Sequence, residues 1–142
     1  MPYLVKLSLE SQWLWVIVKC SLAFLFFSSG LGKVLNVEAG YMEMQAAGLT
    51  PVWFFNYASA LILLVGAYCI LFERHMWLGS LLLSIFLLLT IFIVHTFWTM
   101  SGLQATLALY FAIEHIAVIG GLWSITIASH FRQQLRSHGV IA

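Results

Sequence analysis

Two long stretches without charge limit what this chain can fold into. From Met44 to Phe72 and again from His75 to Ile113, the sequence contains no Asp, Glu, Lys or Arg. A helix that crosses a bilayer needs about 20 mostly apolar residues, because the hydrocarbon core is about 30 Å thick and a helix rises about 1.5 Å per residue. Only 8% of the 142 residues are charged, against about a quarter in soluble domains. The sequence therefore predicts an integral membrane protein and excludes a soluble monomer.

The apolar sequence divides into four predicted transmembrane helices, at about 13–35, 53–72, 77–98 and 105–128. Each must be helical, because lipid offers no partner for open backbone groups. The predicted fold class is therefore all-α, a single four-transmembrane-helix bundle covering 1–142 with a basic tail at 129–142.

The loop between the first two spans carries a pattern of its own. Apolar residues recur there at near-helical spacing between acidic and amide residues: Val37, Tyr41, Met44 and Leu49. This predicts a short interfacial helix between helices 1 and 2, ended by Gly48 and Pro51.

Basic residues set the predicted orientation, since positive charge favours the cytoplasmic side. Four crossings place both termini on one side, with Lys6, Arg74, Arg132 and Arg136, whereas the other side has only Lys33. We therefore expect both termini in the cytoplasm. The loops 36–52 and 99–104 then face outward, to the periplasm if the source is bacterial.

Ionisable residues inside the predicted spans need a partner or a purpose, because each costs at least about 2.5–3.5 kcal/mol there. Snorkelling toward the membrane surface is the default interpretation of Lys19 and an alternative for Lys33. Glu114 lies too deep to snorkel, so it must be protonated, paired or open to a wet cavity. A structural contact between helices and a functional group fit it equally well.

The predicted spans place several ionisable residues in the outer half of the membrane, where they form a candidate buried polar site: Lys33, His95, Glu114 and His115. A neutral histidine that donates to a hydroxyl or carbonyl is the alternative for His95. Four aromatic residues could line an adjacent pocket: Tyr41, Trp53, Trp98 and Tyr110. An aromatic belt at the membrane surfaces is the alternative for the four aromatics.

Other ligands are not expected from the sequence. With a turn near Ser101–Gly102, His115 lies about 10 Å deeper than His95, an offset unsuited to bis-histidine haem ligation. Zinc is disfavoured because the chain lacks thiolate–imidazole spacing. A net charge of +1 provides no basic surface for nucleic acid.

The order of several short motifs resembles one family. Lys19 is followed by Phe27-Ser-Ser-Gly-Leu-Gly-Lys33 and then by Tyr41-Met-x-x-Gln-Ala-Ala-Gly-Leu-Thr-Pro51. Further on come Arg74, His95, Trp98 and Gly120-Gly121. Over essentially the whole chain this resembles the DoxX-like proteins, small four-helix membrane proteins. In these, an arginine-bearing first helix runs into a GxxK ending, followed by a short helix and a GxP turn.

The chain departs from that pattern at three places. Lys19 stands where the family has its first-helix arginine. The substitution keeps the positive charge but loses the bidentate hydrogen bonding of a guanidinium. The acidic residue common on helix two is absent, with Ala60 near its place, and Glu114-His115 aligns with a Lys-Asn pair. We therefore expect that the intramembrane charge has moved to helix four, with a cation on helix one or a histidine on helix three as the partner of Glu114.

The resemblance implies a membrane subunit or accessory of a quinone-linked redox system in a bacterial inner membrane, with a redox protein as partner. Quinone is then the candidate cofactor, its headgroup lined by the four aromatic residues above and its carbonyl hydrogen-bonded by His95 or Lys33. The alternatives are a non-enzymatic anchor or assembly factor and, third, a transporter of protons or a small solute, which requires a homo-oligomer. No recognisable nucleophile–base set supports an enzyme activity of the chain's own, so that question stays open at this point.

Overall fold

Helices make up the regular structure of residues 2–139 in a computed structural model, which describes this range apart from the side chains of Leu4 and Lys6. Four of the helices are long and apolar enough to cross a membrane, which confirms an all-helical chain with four candidate spans. In chain order the helices are α1 (Tyr3–Leu9), α2 (Gln12–Leu35), α3 (Val37–Ala46), α4 (Val52–Leu71), α5 (Met76–Ile93) and α6 (Gly102–Ser137), of which α2, α4, α5 and α6 are the candidate spans.

The third span is shorter than predicted and the fourth is longer. Helix α5 ends at Ile93 instead of near 98, because the amides of Val94 and His95 both donate to the carbonyl of Thr90, at 2.8 and 3.0 Å. Helix α6 begins at Gly102 and continues through Ser137, so the basic stretch His130–Arg136 extends the last helix as expected. Of the basic residues behind the predicted orientation, Lys6 has a side chain outside the described structure, and the tail is described only as far as 139.

The spans pack in a row instead of a closed ring. Helix α2 packs mainly against α4, α4 against α5, and α5 against α6, whereas α2 and α6 barely touch. A cleft therefore remains between the first and last spans. The core lies along the row and is formed by fully buried apolar side chains: Phe26, Leu63, Ile70, Leu83 and Leu122.

Glycines bring α4 and α5 close together. A Cβ atom on Gly66 would overlap the Leu83 side chain, and one on Gly79 would lie 2.5 Å from Cβ of Cys69. Small residues at these contacts allow the two backbones to approach, which is the usual basis of helix packing in membranes.

A ten-residue helix, α3, occupies the loop in which a short helix was predicted. Asn36 caps it, since its side-chain Oδ1 accepts a hydrogen bond from the amide of Ala39 at 3.3 Å. The chain leaves the helix through Gly48 at φ +71°, a left-handed conformation that glycine adopts without steric cost. Gly40 and Met44 are the buried residues of α3, which rests on α2 and α4.

Candidate functional site

The largest polar cluster lies at the end of the bundle where α2 begins and α6 finishes, here called the termini end. The ammonium of Lys19 lies 2.6 Å from Oε1 of Glu73 and also donates to the carbonyl of Leu71 at 3.3 Å. The indole N–H of Trp15 donates to the same Oε1 at 2.9 Å, and the Ser129 hydroxyl donates to Oε2 at 3.4 Å. Because these residues belong to α2, α6 and the α4–α5 turn, the cluster ties three parts of the chain together.

This cluster corrects one expectation from the sequence. Lys19 is not an anchor that snorkels to the surface, because its side chain is buried and paired with a carboxylate. Helix α4 carries no acidic residue, and the carboxylate partner of Lys19 is Glu73, two residues after α4 ends. The signal that points to Glu73 is its place beside the end of the apolar run, at the end of the bundle that also holds Lys19.

Ionised Glu73 is stabilised by its neighbours. Burial opposes ionisation of this carboxyl, but the hydrogen bonds from Lys19 and Trp15 and the positive charges of Lys19 and Arg136 outweigh burial, so the pKa of Glu73 falls below its ordinary value. At neutral pH Glu73 is therefore a carboxylate.

An open, mostly apolar groove of about 670 Å³ adjoins this cluster between α2 and α6. Trp15 and Arg132 lie at its polar end, where the guanidinium carbon of Arg132 stands 5.0 Å from the indole ring centre. Nη2 of Arg132 donates to the Gln12 side chain at 2.7 Å, while its Nε has no acceptor within residues 2–139. The lining residues are Leu9, Leu14, Trp15, Ile17, Val18, Ser21, Leu22, Gly121, Ser124, Ile125, Ala128 and Arg132.

A second, smaller cavity lies at the opposite end, between α2 and α3. It has a volume of about 270 Å³ and contains the ion pair of Lys33 with Glu43. Fully buried Asn56 supports this end from α4, since its Nδ2 donates to the carbonyl of Lys33 at 3.1 Å. Lys33 therefore has a carboxylate partner on α3 that the sequence pattern did not indicate.

The two histidines predicted at the site are in contact. The rings of His95 and His115 meet edge to face with their centres 5.0 Å apart, and His95 also stacks on Phe111 at 5.1 Å. The axial offset of about 10 Å expected between them is wrong, because α5 ends at Ile93 and His95, just after it, contacts α6 at Phe111 and His115.

Glu114, which directly precedes His115, makes no hydrogen bond to this pair of rings. Its side chain is exposed on α6 and has no hydrogen bond or ion pair within residues 2–139, so neither the cation nor the histidine partner expected for it is found there. The structure thus joins His95 to His115, pairs Lys33 with Glu43, and leaves Glu114 on the surface of the chain.

The four aromatic residues predicted to line a pocket are spread over the surface. Trp53, Trp98 and Tyr110 are each more than half exposed, and Tyr41 packs edge to face on Tyr57 with ring centres 6.4 Å apart. None of the four lines either cavity described above. Trp53 at the start of α4 and Trp98 after the end of α5 have positions typical of an aromatic belt, whereas Tyr110 lies within α6.

Neither a metal-binding cluster nor a disulfide is found in the described part of the chain. Residues 2–139 hold no group of three or more His, Cys, Asp or Glu residues placed to bind a metal ion. The two cysteines are free thiols, Cys20 exposed and Cys69 buried.

Comparison with known proteins identifies the family. No curated protein and no solved structure matches the chain. The DoxX family model matches residues 14–96, which is more than half of the 142 residues and includes α2, α3, α4 and α5. The chain therefore belongs to the DoxX family of membrane proteins.

Proposed function

We propose that this chain is the quinone-binding membrane subunit of a redox system and that the groove between α2 and α6 receives the quinone. The size and lining of this groove are the main support for the proposal. Its volume of about 670 Å³ falls in the range of small-molecule sites, which are mostly apolar with a few fixed polar groups. An isoprenoid tail suits the apolar lining from Leu14 to Leu22, and a quinone carbonyl suits the guanidinium of Arg132 at the polar end.

Arg132 is suited to this role because part of its hydrogen-bonding capacity is unused. A guanidinium has five N–H donors, and within residues 2–139 Gln12 accepts from Arg132 through Nη2 alone. The indole ring of Trp15 positions the Arg132 guanidinium through a cation–π contact. Trp15 is itself fixed by its hydrogen bond to Glu73, so the buried cluster orients the polar end of the groove.

The chain's part in the chemistry is to bind and orient the quinone. Reduction of a quinone to a quinol takes two electrons and two protons, and we assign the supply of electrons to a partner redox protein. This role places the quinone at the termini end instead of at the outer loops. It also keeps the orientation expected from the basic residues, with both termini in the cytoplasm of a bacterial cell, and it places α3 at the outer interface of the inner membrane.

Quinone that co-purifies with the protein tests this function. Gly121 lines the groove and Gly120 does not, yet a Cβ on either would meet no atom within 4 Å. Gly121→Leu should therefore fill the groove without disturbing the fold, and Gly120→Leu is its matched control. After purification in mild detergent, quinone extracted and measured by mass spectrometry should approach one per chain for wild type and Gly120→Leu, and fall at least several-fold for Gly121→Leu.

A non-enzymatic anchor or assembly factor is the second candidate. The ion pairs of Lys19 with Glu73 and of Lys33 with Glu43 favour it. Because each lysine is paired within the chain, these charges stabilise helix packing and are not available to bind a ligand. Wild-type protein that carries only phospholipid, with redox activity confined to a co-purifying partner, would replace the quinone proposal with this one.

A further inference from the structure

Glu114 presents a carboxyl group near the middle of the longest span. It lies 12 residues after Gly102, where α6 begins, and 15 residues before Ser129, which contacts Glu73 at the termini end. At about 1.5 Å per residue these separations are about 18 and 22 Å. An exposed carboxyl group at that depth faces lipid in a single chain, at a cost of at least about 2.5–3.5 kcal/mol if charged.

Among the described residues, no Lys or Arg side chain pairs with Glu114. Lys19 is committed to Glu73 and Lys33 to Glu43. The remaining basic side chains that the structure describes, Arg74, Arg132 and Arg136, belong to the termini end. A second molecule would therefore bury a carboxyl group that the described residues leave exposed.

The face that carries Glu114 is shaped for close contact with another helix. Four exposed residues follow one another at steps of three and four along it: Leu107, Tyr110, Glu114 and Ala117. Gly121 continues the stripe four residues after Ala117, and a Cβ there would meet no atom within 4 Å. Small residues four apart allow close approach of transmembrane helices, and α6 has the lowest buried share of the four spans, 17% against 28–39%.

We propose that this face of α6 joins two copies of the chain about a two-fold axis near Glu114 and Ala117. A two-fold contact sets the same surface against itself, so each Glu114 meets its symmetry mate at equal depth. Two facing carboxyl groups can hydrogen-bond to each other and are then no longer exposed to lipid. The Tyr110 hydroxyl, one turn away on the same face, supplies a further donor, which makes the surface complementary to itself.

The contact leaves the proposed quinone site open. Gly121 belongs to both surfaces, but the crossing point lies about one turn or more from it on the side away from Arg132. The polar end of the groove, with Trp15 and Arg132, therefore stays accessible in the dimer. Gly121→Leu alters both surfaces, whereas Glu114 and Ala117 do not line the groove. Variants at Glu114 and Ala117 therefore report on self-association alone, and its failure would not imply the failure of quinone binding.

Cysteine cross-linking in vesicles tests the predicted face. In a Cys20→Ser background, which removes the exposed native thiol, Ala117→Cys should form a covalent dimer on oxidation. The matched control is Ile116→Cys, since Ile116 is 60% exposed but lies about 100° around the helix. Cross-linking of the first variant alone supports the proposed face. Equal cross-linking of both variants, or of neither, overturns it.

The role of the carboxyl group has its own test. Glu114→Leu suits lipid, so the monomer should fold normally by circular dichroism and thermal unfolding, while its dimer dissociation constant in liposomes rises by about tenfold or more. Glu114→Gln keeps a side chain that can pair with its copy and should stay near wild type. A wild-type protein that is monomeric at all protein-to-lipid ratios, or a Glu114→Leu variant that dimerises as wild type does, contradicts the proposal.

Discussion

Lys19 and Glu73 are 54 residues apart in the chain, yet the ammonium nitrogen of one lies 2.6 Å from a carboxylate oxygen of the other. Their side chains are only 10% and 16% exposed. A buried ion pair of this kind contributes little net stability against apolar residues of the same shape, but loss of one partner leaves the other charge uncompensated. The pair therefore fixes how α2 meets the α4–α5 turn.

Glu73→Gln should destabilise the protein by about 3 kcal/mol, since it leaves the Lys19 charge buried without a counterion. The double variant Lys19→Met with Glu73→Gln should recover most of this loss. Unfolding titrations in mixed micelles give the free energies of the full double-mutant cycle. A double variant as unstable as the sum of the two single variants would show that the pair is not coupled.

Low pH should weaken the ion pair between Lys19 and Glu73. Because the pKa of Glu73 in the folded protein lies below its ordinary value of 4.5, the unfolded chain binds this proton more readily than the folded one does. The stabilisation from Glu73 is therefore fully present above about pH 4.5 and is lost as the pH falls through the lower, folded-state value. The melting temperature measured from pH 7 to pH 3 should fall more steeply for wild type than for Glu73→Gln. Parallel curves would contradict this assignment.

Gly40 has a packing role that a methyl group would disrupt. A Cβ at this position would overlap the amide of buried Asn56, so Gly40→Ala should push α3 off α4 and lower stability by about 1–3 kcal/mol. Gly32→Ala is the control, because a Cβ there meets nothing within 4 Å. Thermal unfolding of both variants provides the measurement, and an equal response of the two would show that α3 does not rest on Asn56.

Much of the fold could be predicted because lipid leaves few choices. Uncharged stretches about 20 residues long predict membrane spans from length and hydropathy alone. In the loop between the first two spans, Gly48 and Pro51 predict where the short helix ends. The pairing of polar residues was harder to predict. Glu73 and Glu43 look like ordinary charges of a turn and a surface helix, and only the tertiary arrangement shows that each meets a lysine of α2.

The contact between His95 and His115 shows the same limit. Its prediction depended on where α5 ends, and helix ends are the least certain part of a sequence-based assignment. A double-mutant cycle with His95→Ala and His115→Ala should give a coupling of about 0.5–1.5 kcal/mol, as for other aromatic pairs. Additive effects of the two substitutions would mean that the segment after α5 does not fold back onto α6.

Photolabelling with an azidoquinone tests the central functional claim most directly, because it distinguishes the α2–α6 groove from the outer-loop residues. Reconstituted protein would be irradiated with the label, digested and analysed by mass spectrometry, with unlabelled quinone as competitor. We expect competable labels on the groove-lining parts of α2 and α6, between Leu14 and Leu22 and between Gly121 and Arg132, and their loss in Gly121→Leu. Labels confined to the region of Lys33, His95 and Trp98, or labels that excess quinone does not displace, would contradict the account.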